Sequence, residues 1–430
     1  MSPFPFSPSF MFDFELTRIL GAASSNGCEV GEFKSAVGRI RKHDPESWHA
    51  AWKEQGERAE RIGNEAAAAG FRIPARNAFL RASNYFRASA YMFSSPDEPR
   101  VLTFSERSVK NFERAAKLMD GEVTFVEIPY EDGKRLTGWL CLPPKEALIR
   151  GQKTPVVLYA GGADATKEEL FFLYGHTGPQ LGYAVLCLEG PGQGMLLKRD
   201  KMPLRPDFEV VAGCVLDYFH GELAETRPEL NLDLDRVAVA GAATGGYFAL
   251  RAATDARVKA CVAVDPFFSM WELALTRAPQ SFMKLWENGW IPDSALDTFT
   301  DAHCRGNFQA GWEMNLGKSS MGVDRSSAML KRFKDFSLDN KTDGKILDRI
   351  TCPVFLTGPG AESVMYASAD DSTHKIEKML TKVPASKKEV WVPTDVADGG
   401  LTAKIGAWAL LAQKTFLFLD KHFEIKRTAL

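Results

Sequence analysis

Short apolar segments that alternate with helical ones constrain the fold of this 430-residue chain more than any other feature. Most of these segments are apolar throughout, and turn residues such as Gly, Pro and Asp bound them. Strands that are apolar on both faces are typical of a parallel sheet covered by helices on each side. The predicted strands are 154–162, 182–190, 236–241, 258–267, 352–358 and 387–393. We therefore predict an α/β fold with a doubly wound, mostly parallel sheet.

The residues that precede this sheet show two other patterns. From Asp44, a typical helix start, to about residue 119 the apolar residues recur at helical spacing, with a first helix end at Gly70. Residues 122–144 then alternate polar and apolar side chains around an Asp-Gly pair, which predicts a β-hairpin. We therefore expect a helical N-terminal domain joined to the sheet through a hairpin.

Residues 268–345 break the alternation, because they contain no strand-like segment and are rich in aromatic residues. An insertion at this point would lie over the carboxyl ends of the strands, where ligands bind in such folds. We interpret it as a helical lid with Trp271, Trp286 and Trp290 in the substrate pocket; the alternative is that these rings form the insertion's own core. The predicted domains are 1–120, helical; 121–267 and 346–430, α/β core; and 268–345, lid.

The sequence GAATGG at residues 241–246 joins a predicted strand to a predicted helix. A strand, a sharp glycine-containing turn and a helix form the nucleophile elbow, G-x-S-x-G, in which a serine occupies the turn. Here Ala243 stands at the serine position, and a methyl group cannot attack a carbonyl carbon. The sequence therefore predicts an elbow without its nucleophile.

Together with this turn, three other segments resemble the α/β-hydrolase fold: EGPGQG at 189–194, RPDFE at 205–209 and DGGLTAKIGAW at 398–408. More narrowly, residues 40–425 resemble the branch with a helical N-terminal domain. That branch contains the fungal polyketide-shortening hydrolases of pigment pathways and dihydropseudooxynicotine hydrolase. The resemblance implies a catalytic triad in the chain order Ser, acid, His.

The resemblance places the triad acid at Glu362 and the triad histidine at the position of Asp398. No histidine lies between His374 and His422, so the nucleophile and the base are both missing. The two carboxylates could interact so that one of them acts as a general acid or base. The alternative for Glu362 is a solvated loop residue, and the alternative for Asp398 is a residue that favours the turn before Gly399. Because the nucleophilic serine and the basic histidine are both missing, we interpret Ala243 as a natural change. The alternative is an engineered Ser→Ala replacement.

The backbone donors of the oxyanion hole do not depend on the serine. In this fold they come from the residue after the nucleophile position, here Thr244, and from the loop after the third strand, here Gly161, Gly162 and Ala163. Such donors can polarise a ketone or an enolate oxygen. Further candidates for the cleft are Asp164, Asp265 and His176. For His176 the alternative is a capping or packing role.

Composition excludes several classes of function. A formal net charge of -2, from 53 basic and 55 acidic residues without long like-charge runs, does not indicate a nucleic-acid surface. The 7 cysteines contain no C-x-x-C pair, which favours reduced thiols in a cytoplasmic protein. The chain has no apolar run long enough for a membrane span, no nucleotide-loop motif and no metal-ligand spacing. We expect no cofactor or metal, a small hydrophobic substrate, and a homodimer as an open alternative.

Three functions remain open. The first is a non-hydrolytic enzyme of secondary metabolism that promotes cyclisation, isomerisation or C–C bond rearrangement of a polyketide-like intermediate. The second is a serine hydrolase of ester or C–C bonds in an inactivated form, and the third is a non-catalytic binding protein. The aromatic insertion favours the first, the missing histidine argues against the second, and the retained oxyanion loop argues against the third.

Overall fold

The computed structural model describes residues 6–95, 98–339, 345–360 and 369–428. The strands are β1 Val123–Pro129, β2 Arg135–Cys141, β3 Thr154–Ala160, β4 Ala184–Glu189, β5 Leu232–Ala242, β6 Val258–Val264, β7 Val354–Thr357 and β8 Lys388–Trp391. Within the described ranges they form one eight-stranded sheet in the order β1-β2-β4-β3-β5-β6-β7-β8. Each predicted strand segment overlaps one of the strands β3–β8.

The pairing is antiparallel from β1 through β2 to β4 and parallel from β4 to β8. Most residues of β3–β7 are buried on both faces of the sheet, because successive side chains of a strand enter apolar clusters on opposite sides. In β3, Val156 and Leu158 belong to one cluster, and Val157 and Tyr159 belong to the other. The predicted α/β fold with a mostly parallel, doubly wound sheet is therefore confirmed.

Helices cover the sheet and precede it. In chain order they are α1 Phe10–Gly21, α2 Val30–Val37, α3 Pro45–Ala68, α4 Arg72–Tyr91, α5 Pro99–Ala116, α6 Lys167–Leu170, α7 His176–Gln180, α8 Gly194–Lys198, α9 Phe208–Tyr218, α10 Ala224–Thr226, α11 Thr244–Ala252, α12 Met270–Leu275, α13 Gln280–Glu287, α14 Asp293–Gly306, α15 Phe308–Met321, α16 Ser326–Phe333, α17 Ala369–Met379 and α18 Trp408–His422. The sequence predicted helices from α3 onward but missed α1 and α2. No helix in the described ranges is long and apolar enough to cross a membrane.

Helices α3 and α4 approach each other closely because glycines occupy their contact. Gly56 and Gly63 are two turns apart and so lie on one face of α3. A Cβ atom added at Gly63 would lie 2.4 Å from the ring of Phe79, and one added at Gly56 would lie 2.6 Å from the ring of Phe86. This contact fixes the position of α4, whose last residue, Tyr91, reaches the cavity described below.

Helices α12–α16 fill the chain between β6 and β7, and the segment begins and ends at adjacent points. The N–H of Met270 donates to Phe336 O at 2.9 Å, and the N–H of Leu338 donates to Phe268 O at 3.0 Å. These two hydrogen bonds join the entry of the inserted helices to their exit. The function of this segment as a lid, and the three predicted domain boundaries, stay predictions.

Adding one methyl group to the α3–α4 contact tests how closely the two helices are packed. Gly63→Ala should lower the free energy of unfolding by about 1–3 kcal/mol, because the Phe79 ring also carries the Arg114 guanidinium 3.8 Å from its centre and has little room to move. Gly213→Ala in α9, where an added Cβ meets nothing within 4 Å, should raise it by about 0.5–1 kcal/mol. Urea unfolding of both variants measures the difference, and equal effects would contradict the close contact.

Candidate active site

A cavity of about 590 Å³ lies at the carboxyl ends of the strands. Residues that follow β3, β5, β6 and β8 line one end of it: Gly162, Ala243, Phe267 and Ala403. Helices α12–α16 contribute methionines to the other end: Met270, Met283, Met314, Met321 and Met329. Methionine side chains are flexible and polarisable, so this wall can adapt to apolar ligands of different shape.

The turn after β5 keeps the geometry of a nucleophile elbow. Ala243 has φ 54° and ψ -116°, a conformation that is strained for a residue with a Cβ atom. Its N–H donates to Val264 O at 2.9 Å, which ties the turn to β6. Glycine is required on both sides, because a Cβ at Gly241 would lie 1.9 Å from Gly245 O and one at Gly245 would lie 2.4 Å from Ala160 O. The turn is thus retained in full although its central side chain is a methyl group.

Gln193 orients the loop after β3. Its Nε2 donates to the carbonyls of Gly161 at 2.6 Å and of Gly162 at 3.0 Å, while its Oε1 accepts from Gly190 N at 2.7 Å. Because N–H and C=O point in opposite directions across a trans peptide, the N–H groups of Gly162 and Ala163 point away from Gln193. Across the described ranges, neither of these N–H groups has a hydrogen-bond partner.

Asp265 and Lys404 form a buried ion pair behind the cavity wall. Lys404 Nζ donates to Asp265 Oδ1 and to Gly358 O, both at 2.8 Å. Asp265 also accepts from Thr357 Oγ1 at 2.6 Å and from Ala403 N at 2.7 Å. Burial lowers the pKa of Lys404, and the charge of Asp265 opposes that shift. The pair joins the ends of β6 and β7 to the loop that follows β8.

This ion pair explains two corrections to the sequence-based prediction. Asp265 does not line the cavity, because its side chain is wholly buried against Lys404. Asp398 does not line it either: it is exposed in a turn, where its N–H donates to Asp395 O at 3.2 Å. The loop after β8 is drawn toward Asp265 at residues 403 and 404, which leaves Asp398 on the outside. Glu362, the predicted partner of Asp398, lies outside the described residues.

The predicted tryptophans and histidine do not line the cavity either. Trp286 is buried in a small core of the inserted helices, where Trp271 packs against it at 6.1 Å between ring centres, and Trp290 is 79% exposed. The alternative interpretation, that these rings pack within the insertion, therefore holds for two of them. His176 Nε2 accepts a hydrogen bond from Gln180 Nε2 at 3.2 Å, and His176 does not line the cavity. Burial lowers the pKa of His176.

Asp164 lines the cavity, and its partners come from the N-terminal helices. Arg18 of α1 donates to its Oδ2 at 2.6 Å, and the hydroxyl of Tyr91 donates to the same oxygen at 2.7 Å. Arg18 also makes a bidentate ion pair with Glu169. Burial raises the pKa of Asp164, but the charge and hydrogen bond of Arg18 outweigh it and lower that pKa to about 2. The carboxylate is therefore ionised at neutral pH.

Sequence reasoning missed several residues of this site. They are Arg18, Tyr91, Gln193, His303, Trp312 and Lys404. Lys404 stood in the quoted segment DGGLTAKIGAW, and Gln193 stood in EGPGQG, so both lay inside recognised motifs. Two signals could have indicated Arg18. Ser9 is a typical helix start, and in the structure its hydroxyl accepts from Phe12 N at the beginning of α1. Arg18 is one helical turn after Phe14, so both residues lie on the same face of α1, and both line the cavity.

No group of three or more His, Cys, Asp or Glu side chains in the described ranges is arranged to hold a metal ion.

Residues 43–282 match the family described as esterase FrsA-like. Over its full length the chain is 83% identical to alpha/beta hydrolase gkaG of Penicillium citrinum, which it covers completely. It is 44% identical to alpha/beta hydrolase psoB of Aspergillus fumigatus over 97% of this chain and 94% of that protein. The fold resembles the crystal structure of 2,6-dihydroxy-pseudo-oxynicotine hydrolase, with a TM-score of 0.69, 18% identity, and coverage of 95% of this chain and 97% of the other.

Replacing Ala243 by glycine tests the strain in the elbow. Ala243→Gly should raise the free energy of unfolding by about 1 kcal/mol, because glycine adopts a positive φ without steric conflict. Ala50→Gly, at an exposed position inside α3, should instead lower it by about 0.5–1 kcal/mol. Urea unfolding distinguishes the two, and destabilisation of both variants to the same extent would show that the elbow is relaxed.

The low pKa of Asp164 predicts a pH dependence of stability. The group gains its proton at lower pH in the folded chain than in the unfolded chain, so it stabilises the fold above its ordinary pKa and loses this effect as the pH falls toward 2. Asp164→Asn should lower the free energy of unfolding by about 2 kcal/mol at pH 7 and by about half of that at pH 3. Asp398→Asn, at the exposed turn, should change the free energy of unfolding little at either pH. A cost for Asp164→Asn that does not change between pH 7 and pH 3 would contradict the assignment.

Proposed function

The chain belongs to the FrsA-like esterase family of α/β-hydrolases, and we propose that it acts on a hydrophobic, polyketide-like intermediate of secondary metabolism without hydrolysing it. The proposed reaction is a cyclisation, an isomerisation or a C–C bond rearrangement that proceeds through an enolate. One observation carries the proposal: the elbow keeps its strained turn and its backbone donors although Ala243 has no nucleophilic oxygen.

Backbone donors at this turn can act on a carbonyl oxygen without a serine. The N–H groups of Thr244, Gly162 and Ala163 would surround one oxygen of the substrate, as the oxyanion hole does in this fold. These hydrogen bonds strengthen as the oxygen gains enolate charge, so they lower the pKa of the neighbouring C–H group. The C–H proton leaves to water, and the enolate carbon can attack a second carbonyl that the cavity holds nearby. The π bond of that carbonyl breaks as the C–C bond forms, and its oxygen, left as an alkoxide, takes a proton back from water.

Hydrolysis through an acyl-enzyme would need a nucleophile and a base at positions that hold neither. Ala243 offers a methyl group where the serine oxygen would be. The loop after β8 presents Ala403 to the cavity, and its Lys404 ammonium turns away to Asp265. A lysine in its ammonium form has three N–H donors and no lone pair that could accept the proton of a nucleophile. These two features favour enolate chemistry over acyl transfer.

The cavity supports a hydrophobic substrate of moderate size. Its volume of about 590 Å³ is in the range of sites that enclose drug-sized ligands. The methionines of α12–α16 supply an adaptable apolar wall, and polar groups lie near Asp164 and the elbow and at Arg277, His303 and Glu313 of the inserted helices. A polyketide-like molecule, with a long apolar part and a few carbonyl groups, has this distribution of polarity.

A second candidate is a serine hydrolase whose serine has been replaced by alanine. The names of its relatives, which are called hydrolases, and the intact elbow geometry favour this alternative. A third candidate, a binding protein without catalysis, would use the same cavity.

Two bicyclic probes distinguish the three candidates. 2-Tetralone reports enolate formation through exchange of its α-protons in D₂O, followed by NMR, and 2-naphthyl acetate reports ester hydrolysis through released naphthol. The wild-type protein should accelerate the exchange by about 10²-fold or more over buffer, since each backbone donor contributes a few kcal/mol. It should release no naphthol. Gln193→Met, which removes the hydrogen bonds that orient the donors, should lower the exchange rate at least tenfold.

The serine variant completes the test. Ala243→Ser should still not hydrolyse 2-naphthyl acetate, because the loop after β8 presents Ala403 to the cavity and holds Lys404 against Asp265. Steady hydrolysis by Ala243→Ser would overturn the proposal in favour of the inactivated hydrolase. Binding of 2-tetralone without faster exchange would overturn it in favour of the binding protein.

A further inference from the structure

The two oxygens of the Asp164 carboxylate have different surroundings. Oδ2 accepts from both Arg18 and Tyr91. In the part of the chain that the structure describes, no other residue donates to Oδ1. The side chain keeps 28% of its surface exposed. A Cβ atom added at Gly162 would lie 3.4 Å from Oδ1, so this oxygen lies beside the loop that carries the oxyanion donors.

Asp164 lines the main cavity, and its Oδ1 lies beside Gly162. Asp164 and Tyr91 also line a second cavity of about 220 Å³, which shares Ala163 and Trp312 with the main one. Gly162 lines the main cavity but not the second one, and it is the residue next to Oδ1. An acceptor oxygen is therefore presented to the substrate space close to the elbow.

The Arg18 guanidinium is bound on three sides by acidic side chains, which disfavours a further anion beside it. Nε and one terminal nitrogen bind Glu169, and the other terminal nitrogen reaches Asp164 and Glu15. Arg87 forms a further ion pair with Glu15 at 2.9 Å. The cluster thus contains two cationic and three acidic side chains, so acidic groups outnumber cationic ones where it borders the cavity.

We propose that Asp164 Oδ1 recognises a hydrogen-bond donor on the substrate, an O–H or N–H group located near the carbonyl that enters the oxyanion hole. This inference rests on the proposed function and specifies the substrate class: an apolar carbonyl compound with a neutral donor. A second acceptor placed against the ionised oxygen would be repelled, whereas a donor forms a charge-assisted hydrogen bond. In a mostly apolar cavity a neutral donor also costs less to desolvate than a cation.

A matched pair of ligands tests the proposal by binding alone. 2-Naphthol carries an O–H donor, and 2-methoxynaphthalene has the same rings without a donor. The wild-type protein should bind 2-naphthol about tenfold or more tightly, the usual scale for one hydrogen bond to a charged group. In Asp164→Ala this preference should fall below about threefold, while 2-methoxynaphthalene should bind as before, which shows that the cavity is intact. Isothermal titration calorimetry at pH 7 measures all four affinities.

Tyr91→Phe is the matched control, since the tyrosine hydroxyl donates to Oδ2 and leaves Oδ1 unchanged. This variant should keep most of the preference for 2-naphthol. If Asp164→Ala still prefers 2-naphthol, the assignment of Asp164 is wrong. The proposed function is tested separately, by the rate of 2-tetralone exchange in the wild-type protein. A protonated ligand, 2-(aminomethyl)naphthalene, should bind no more tightly than 2-naphthol. Much tighter binding of this cation would overturn the inference in favour of a cation site.

Discussion

The buried ion pair between Asp265 and Lys404 is the interaction on which the cavity wall depends. It joins the loop after β8 to the ends of β6 and β7, and the same loop presents Ala403 to the cavity. Removing one partner from such a pair leaves a buried charge without compensation, at a cost of about 3–5 kcal/mol. The pair also occupies the loop where the family pattern has its base. One interaction therefore holds in place the loop that lines this part of the cavity.

The sheet was predictable from the sequence because its signals are local. A strand that is buried on both faces is apolar over its own few residues, and the turn at Ala243 is recognised by the glycines beside it. The same locality explains the limit of the prediction. The conformation of the loop after β8 depends on Asp265, which is 139 residues from Lys404 in sequence. Alignment with the family pattern therefore selected Asp398, although the structure turns Lys404 inward instead.

The polar end of the cavity was only partly predictable for a related reason. Asp164 follows a strand end, where cleft residues are expected, but the groups that keep it ionised come from other parts of the chain. Arg18 is 146 residues away and Tyr91 is 73 residues away. The aromatic residues of α12–α16 show a different limit. Aromatic content identified the insertion, but it could not separate Trp312, which lines the cavity, from Trp286, which packs inside the insertion.

The adjacent entry and exit of the segment between β6 and β7 make this part of the protein an exchangeable unit. Because Met270 is bonded to Phe336 and Leu338 to Phe268, the helices between them can lengthen, shorten or change sequence without moving the ends of the strands. Loop-closure entropy varies only slowly with length, so such changes cost the fold little. The methionine wall and the elbow can thus diversify at different rates, and ligand preference can evolve while the backbone donors stay in place.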